Sequence, residues 1–145
     1  MNTVKMGLIT LLLIGCASTA NERPPEIAQP DVAARLVNSL FFGSGTTTPA
    51  TLEVTITNRA SVPIKLRRLE IDSPGMIQYR VMPFARDYNE TIAPGETKSM
   101  TVFATARTGI ARLTPSEPLS VRVVADFMVG NRRFRDIYVN LRADR

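Results

Sequence analysis

Reactive side chains are scarce in this chain, and the scarcity narrows its chemistry. Among 145 residues there is no histidine, and Cys16 is the one cysteine. Without imidazole there is no Ser-His-Asp or Cys-His machinery, no histidine general base, and no zinc set of the usual His or multi-Cys kind. A single thiol cannot close an intramolecular disulfide, so cysteine usage carries no redox message of its own. Carboxylates are the acid–base groups that remain. Asp72, Asp87, Glu90 and Glu96 fall around expected loops. No spacing pairs two of them as a hydrolase dyad requires, and the alternating Asp/Asn ligands of a calcium loop are absent. Ser73, Ser116 and Ser120 lack a base to activate them, and Gly43-Ser44-Gly45 is too short and out of context for a phosphate loop. The expectation is a protein that is not an enzyme and needs no cofactor or metal.

Cys16 has a different chemistry open to it. Met1–Lys5 is a short segment with one positive charge, and Met6–Ile14 is a nearly unbroken apolar run. That run is far below the roughly 20 residues that span a bilayer, so it reads as the core of an export signal. Leu13-Ile14-Gly15-Cys16 follows at once and resembles the bacterial lipobox, an aliphatic residue and two tolerant positions before an essential cysteine. The resemblance implies that residues 1–15 are a cleaved signal. It also implies that Cys16 Sγ carries diacylglycerol and that the new amine is acylated. Two or three acyl chains, at about 0.8 kcal/mol per buried CH₂, would hold the protein on a membrane almost permanently. Ala17 stands where an aspartate would signal inner-membrane retention. The expected location is the outer membrane facing the periplasm, or the outer surface of a single-membrane cell. Ala17–Pro30 is polar and proline-rich, and residues 16–30 read as the lipidated cysteine with a flexible, extended linker.

Arginine is the other group with a chemistry to offer. The chain carries 18 Lys and Arg against 13 Asp and Glu, a formal charge of +5, one less once Lys5 leaves with the signal. The placement of these cations depends on the strands. Beyond Pro30 the dominant hydrophobic period is two. Leu52, Val54 and Ile56 alternate with polar residues. Val62, Ile64 and Leu66 repeat the pattern, Arg67-Arg68 breaks its phase, and Leu69 and Ile71 resume one residue later, which predicts a β-bulge at the arginine pair. Ile77, Tyr79 and Val81 form another strand after the Pro74-Gly75 turn. Pro94-Gly95 launches Met100, Val102, Ala104 and Ala106. Leu119, Val121, Val123, Ala125 and Phe127 show the strongest alternation. Gly130-Asn131 is a two-residue hairpin turn that returns the chain through Ile137, Val139 and Leu141. Asp31–Phe42 reads as a first strand, with Leu36, Leu40 and Phe42 on one face, in preference to a short helix capped by Asp31. About seven short strands with turns between them describe an all-β, immunoglobulin-like antiparallel β-sandwich over residues 31–145.

On the outward phase of that sandwich the third strand carries Lys65 and Arg67, the sixth Arg122, and the last Arg133 and Arg135. These strands are neighbours in one sheet of an immunoglobulin-like fold. Their cations would then form one positive face for phosphate or carboxylate groups. The alternative is an ordinary solvated face with Asp126 and Asp136 interspersed.

From Thr51 onward the domain resembles the late-embryogenesis-abundant type 2 group, the water-stress and hypersensitive-response domain. The residues that carry this are Leu52-Glu-Val-Thr-Ile-Thr-Asn58, Val62-Pro63-Ile64, Leu69, and Ile92-Ala-Pro-Gly95 with the alternating strand to Ala106. Asn58 is followed by Arg59-Ala60 where the family has Pro-Asn, and the stretch after Pro74 departs further. Asn58 also has a plainer role open to it, bonding a turn backbone. The resemblance implies a protective, non-catalytic role under stress. The functional expectation is a membrane-anchored envelope lipoprotein that binds a protein partner or anionic lipid head groups, or protects the envelope. Nucleic acid is an improbable partner for an exported chain. A carrier of a small apolar ligand and an accessory subunit of an envelope assembly or secretion machine are the alternatives.

Overall fold

In a computed structural model the described residues are 22–74, 79–108 and 119–143, the Asn140 side chain excepted. The signal, the Leu13–Cys16 tetrapeptide, Ile77 and Ser116 lie outside them. Alternating sequence becomes eight strands among the described residues: β1 (Asp31–Leu36), β2 (Thr47–Thr57), β3 (Ile64–Asp72), β4 (Tyr79–Val81), β5 (Phe84–Ile92), β6 (Thr97–Thr108), β7 (Ser120–Val129) and β8 (Arg132–Arg142). They pair antiparallel in two sheets, β1-β2-β6-β4 and β5-β3-β7-β8. The expected sandwich is the fold. Leu52, Val54 and Ile56 of β2 and Val121, Val123, Ala125 and Phe127 of β7 are fully buried between the sheets. The Phe127 and Phe134 rings sit 5.3 Å apart in that core.

The eighth strand is β5, which the expected seven do not include. Its apolar residues Phe84, Tyr88 and Ile92 recur every fourth residue, and the rest of this edge strand is solvated. Alternation is therefore invisible there. At the amino end, β1 is a strand as expected, but it ends at Leu36. Leu40 is half-buried outside it, and Phe42 is buried against Tyr79 at 5.8 Å between ring centres.

The bulge at Arg67-Arg68 is present. Leu66 pairs with Phe127 and Arg68 with Asp126, so one extra residue of β3 faces β7 and the inward phase passes from Leu66 to Leu69. A second irregularity lies in β8, where Leu141 pairs with Val121 and Tyr138 with Val123. This corrects the reading of the last strand. Phe134 and Asp136 are its buried residues, with Tyr138 half-buried, while Ile137 and Val139 are exposed; Leu141 turns inward only after the irregularity. An inward aspartate disguises the true face from a search for apolar alternation.

The partner of Asp136 comes from the segment expected to be a flexible linker. From Glu22 onward that segment is docked. Arg23 Nε donates to Asp136 Oδ1 at 3.3 Å and its Nη1 to the Ile27 carbonyl at 2.8 Å. Ile27 is buried, Glu26 pairs with Arg132, and the Tyr138 hydroxyl donates to the Pro30 carbonyl at 2.8 Å. Residues 22–30 lie against β8, ahead of β1. Burial of its phenol, with Asp136 nearby, pushes the Tyr138 pKa well up.

Two turns fix the register. Val129 pairs with Arg132 across Gly130-Asn131, and Gly130 takes φ +56°, which suits glycine. At Ala93–Glu96 the Glu96 amide donates to the Ala93 carbonyl, with Pro94 second and Gly95 at φ +73° third, the type II pattern. Asn58 holds this turn to the β2–β3 connection. Its Nδ2 donates to the Val62 and Ile92 carbonyls, its Oδ1 accepts from the Ala60 amide, and its own carbonyl accepts from Gly95.

Candidate anion-binding face

The register of the second sheet decides where its cations stand. Reading across β5, β3, β7 and β8, one outward row is Thr91, Lys65, Met128 and Arg133, and the next is Asp87, Arg68, Asp126 and Arg135. Glu70, Val124 and Ile137 make the third, and Asp72 lies opposite Arg122. The strands bearing Lys65, Arg67, Arg122, Arg133 and Arg135 are neighbours, as the fold required.

They do not make an unbroken positive face. Arg122 Nε donates to Asp72 Oδ1 at 2.8 Å, and a second bond joins the other oxygen of the same carboxylate. Arg135 forks onto Asp126 at 2.6 and 2.9 Å. Arg68, which the outward phase did not single out, bridges Glu70 at 2.7 Å and Asp87 at 2.8 Å. The bulge explains this exchange: Arg68, not Arg67, occupies the paired outward row. Each of these guanidiniums is held more firmly charged by its first partner, Glu70 for Arg68, Asp72 for Arg122 and Asp126 for Arg135. Asp136, expected among the outward charges, points into the core.

The surplus charge is local. Lys65 and Arg133 have no carboxylate partner among the described residues. Among the described residues Arg67 reaches only the amide oxygen of Asn89, at 2.9 Å, and its Nε is buried without an acceptor. Arg67, Arg68, Arg133 and Arg135 line a cavity of about 420 Å³ with Asp87 and Asp126, bordered by Phe127 and Phe134. The pairs Arg68–Asp87 and Arg135–Asp126 form its frame and fix the geometry of their guanidiniums. Arg67 and Arg133 are the cations left to meet a ligand. Such a cavity can take up a phosphate or carboxylate through forked, charge-assisted hydrogen bonds. Two signals in the sequence mark this place: the phase break at Arg67-Arg68 and the outward phase of Arg67, Arg133 and Arg135 on neighbouring strands.

Ser73, Glu90 and Glu96, weighed as reactive groups, are engaged elsewhere. The Ser73 hydroxyl donates to the Ser120 carbonyl and accepts from the Val81 amide, both at 2.8 Å. Glu90 pairs with Lys98, and Glu96 accepts from the Ala93 amide. Among the described residues no three acidic groups cluster to hold a metal.

Known proteins add little to this picture. No family model and no curated protein matches the chain, so the likeness to the water-stress domain rests on its motif residues alone. A crystal structure of a protein from Archaeoglobus fulgidus aligns with it at a TM-score of 0.43 and 12% identity, covering 75% of this chain and 90% of that one.

Proposed function

We propose that this protein is a non-catalytic, lipid-anchored binding module of the cell envelope, and that the cavity at the β3 bulge receives an anionic group of its partner. The observation that carries this reading is the Arg67 guanidinium, with a buried, unpartnered Nε beside an unpaired Arg133 in one cavity. A buried donor without an acceptor is costly unless something supplies one. The Leu13–Cys16 tetrapeptide supports the anchor, and the docked segment shortens the reach from it. Only six residue steps separate Cys16 from Glu22, a span of about 20 Å when fully extended. The domain is thus held close to the membrane surface.

Crosslinking in cells, on the lipidated protein, tests both halves. Incorporation of labelled palmitate should depend on Cys16 and vanish with Cys16→Ala. One dominant crosslinked species should form with the native chain and be lost with Arg67→Glu and Arg133→Glu together, while palmitate incorporation continues. Each lost charged hydrogen bond is worth roughly 1.5–3 kcal/mol, or about ten- to hundredfold in affinity. An unchanged crosslinking pattern in the double variant refutes the cavity as the contact.

A further inference from the structure

The outer face of the first sheet carries a patch of a different character. Continuing the register of β1, β2, β6 and β4 gives three successive rows. Val37, whose amide bonds the Thr51 carbonyl, lies beside Thr51 and Phe103; Pro49 lies beside Thr105 and then Met82, whose amide bonds the Thr105 carbonyl; Thr47 lies beside Arg107 and Arg80. Phe103 is 73% exposed, Val37 and Met82 are exposed, and Phe41 in the adjoining loop is 80% exposed. No carboxylate stands in these rows. Glu53, in the next row, is already bound to Arg35. Arg80 and Arg107 sit directly opposite one another across β4 and β6, with no acidic partner among the described residues.

From this arrangement we infer that the outer face of β2, β6 and β4 docks on an anionic lipid surface. Two guanidiniums side by side repel, and a phosphate placed between them relieves the repulsion. Aromatic and aliphatic side chains beside the arginines then enter the boundary between head groups and acyl chains, as apolar side chains flanked by cations do at membrane surfaces. The hydroxyl-rich remainder, Thr47, Thr51 and Thr105, is neutral and bonds readily to head groups. The second sheet's outer face differs: Arg68, Arg122 and Arg135 are bound to carboxylates, the unpaired Arg133 shares its row with Thr91, Lys65 and Met128, and the exposed Ile137 shares its row with Glu70. This surface is separate from the cavity at the bulge, on the opposite side of the sandwich, so one face can meet lipid while the other meets a partner.

The chain has no tryptophan, so Phe103→Trp is a unique reporter, with Ile137→Trp as its counterpart on the other sheet. Each full-length variant is mixed with vesicles of phosphatidylcholine alone or with phosphatidylglycerol, and tryptophan emission and quenching by brominated acyl chains are read. Emission from the Phe103→Trp protein should shift to the blue and be quenched only where phosphatidylglycerol is present. The shift should disappear with Arg80→Glu and Arg107→Glu, and also in high salt, which screens the attraction without altering the fold. The Ile137→Trp protein should stay solvent-like throughout. An unshifted Phe103→Trp spectrum on anionic vesicles overturns the inference, as does an equal shift at position 137 or a shift on phosphatidylcholine alone. The emission reports the position of the face itself, so failure of the lipid anchor at Cys16, read by palmitate labelling, is a separate result.

Discussion

Replacing Asn58 with alanine should be among the most damaging single changes in this domain, although the residue touches neither proposed surface. Asn58 is fully buried, and its amide serves three backbone groups: the Val62 carbonyl at 2.9 Å, the Ile92 carbonyl at 3.0 Å and the Ala60 amide at 2.9 Å. Truncation leaves three polar groups without partners, of which the Val62 bond is only partly shielded from water. At about 1–3 kcal/mol for each buried group, and less for the part-exposed one, the loss is roughly 3–5 kcal/mol. Asn58→Asp separates hydrogen bonding from shape. The carboxylate still accepts from Ala60 through one oxygen, but it turns the other, an acceptor in place of the donating Nδ2, toward both the Val62 and Ile92 carbonyls. A protonated carboxyl restores one donor, so the folded-state pKa at this site is raised above the ordinary carboxylate value near 4. Stability of the aspartate variant is therefore greatest at low pH and is lost as pH rises through the folded-state value. Urea unfolding at several pH values measures both effects. A cost below about 1 kcal/mol for Asn58→Ala, or an aspartate variant as stable at neutral pH as at acid pH, refutes the reasoning.

Two further outcomes follow from the docked amino-terminal segment. Arg23→Ala leaves Asp136 buried without its cation; the pair is partly solvated at the arginine, so an unfolding cost of about 1–3 kcal/mol is expected, together with faster protease cleavage within residues 22–30. Unchanged stability and unchanged cleavage would show that the segment is held by Ile27 and the prolines alone. Tyr138 gives an alkaline signature. Its phenol is kept neutral in the folded state by burial, so its stabilisation is complete below the unfolded pKa near 10 and is lost as pH rises above it, by at most about 1 kcal/mol between pH 10 and 11 because the ring is only half-buried. Compared with Tyr138→Phe, the native chain should lose its advantage over that interval; parallel pH profiles for the two proteins contradict the assignment.

Much of the fold is legible because one face of most strands is buried, and period two then shows directly in the residues. Leu52, Val54 and Ile56 needed no further information, and the phase break at Arg67-Arg68 located a bulge before any coordinate did. Legibility fails where a partner lies far along the chain. Asp136 faces inward only because Arg23, 113 positions away, comes back to meet it, and no local pattern reports that. β5 escapes because an edge strand with apolar residues every fourth position has little face to bury. The positive face was half legible. Its cations are adjacent as expected, but which of them Asp72, Asp87 and Asp126 neutralise is a matter of register, and register is set by the bulge.

The docked segment also has a mechanical consequence. On the proposed anchoring through Cys16, a load between membrane and domain meets residues 22–30 before it reaches β1. It acts first on the contacts of Arg23 and Ile27 and on the Tyr138 bond at Pro30, in shear along the outside of the sandwich, before it reaches any pair of hydrogen-bonded strands. Peeling residues 22–30 away would release about 30 Å of extra chain with both sheets intact. An anchor at Cys16 would therefore give the domain a leash of two lengths, a short one at rest and a longer one under tension, with the Arg23–Asp136 contact as part of the catch between them.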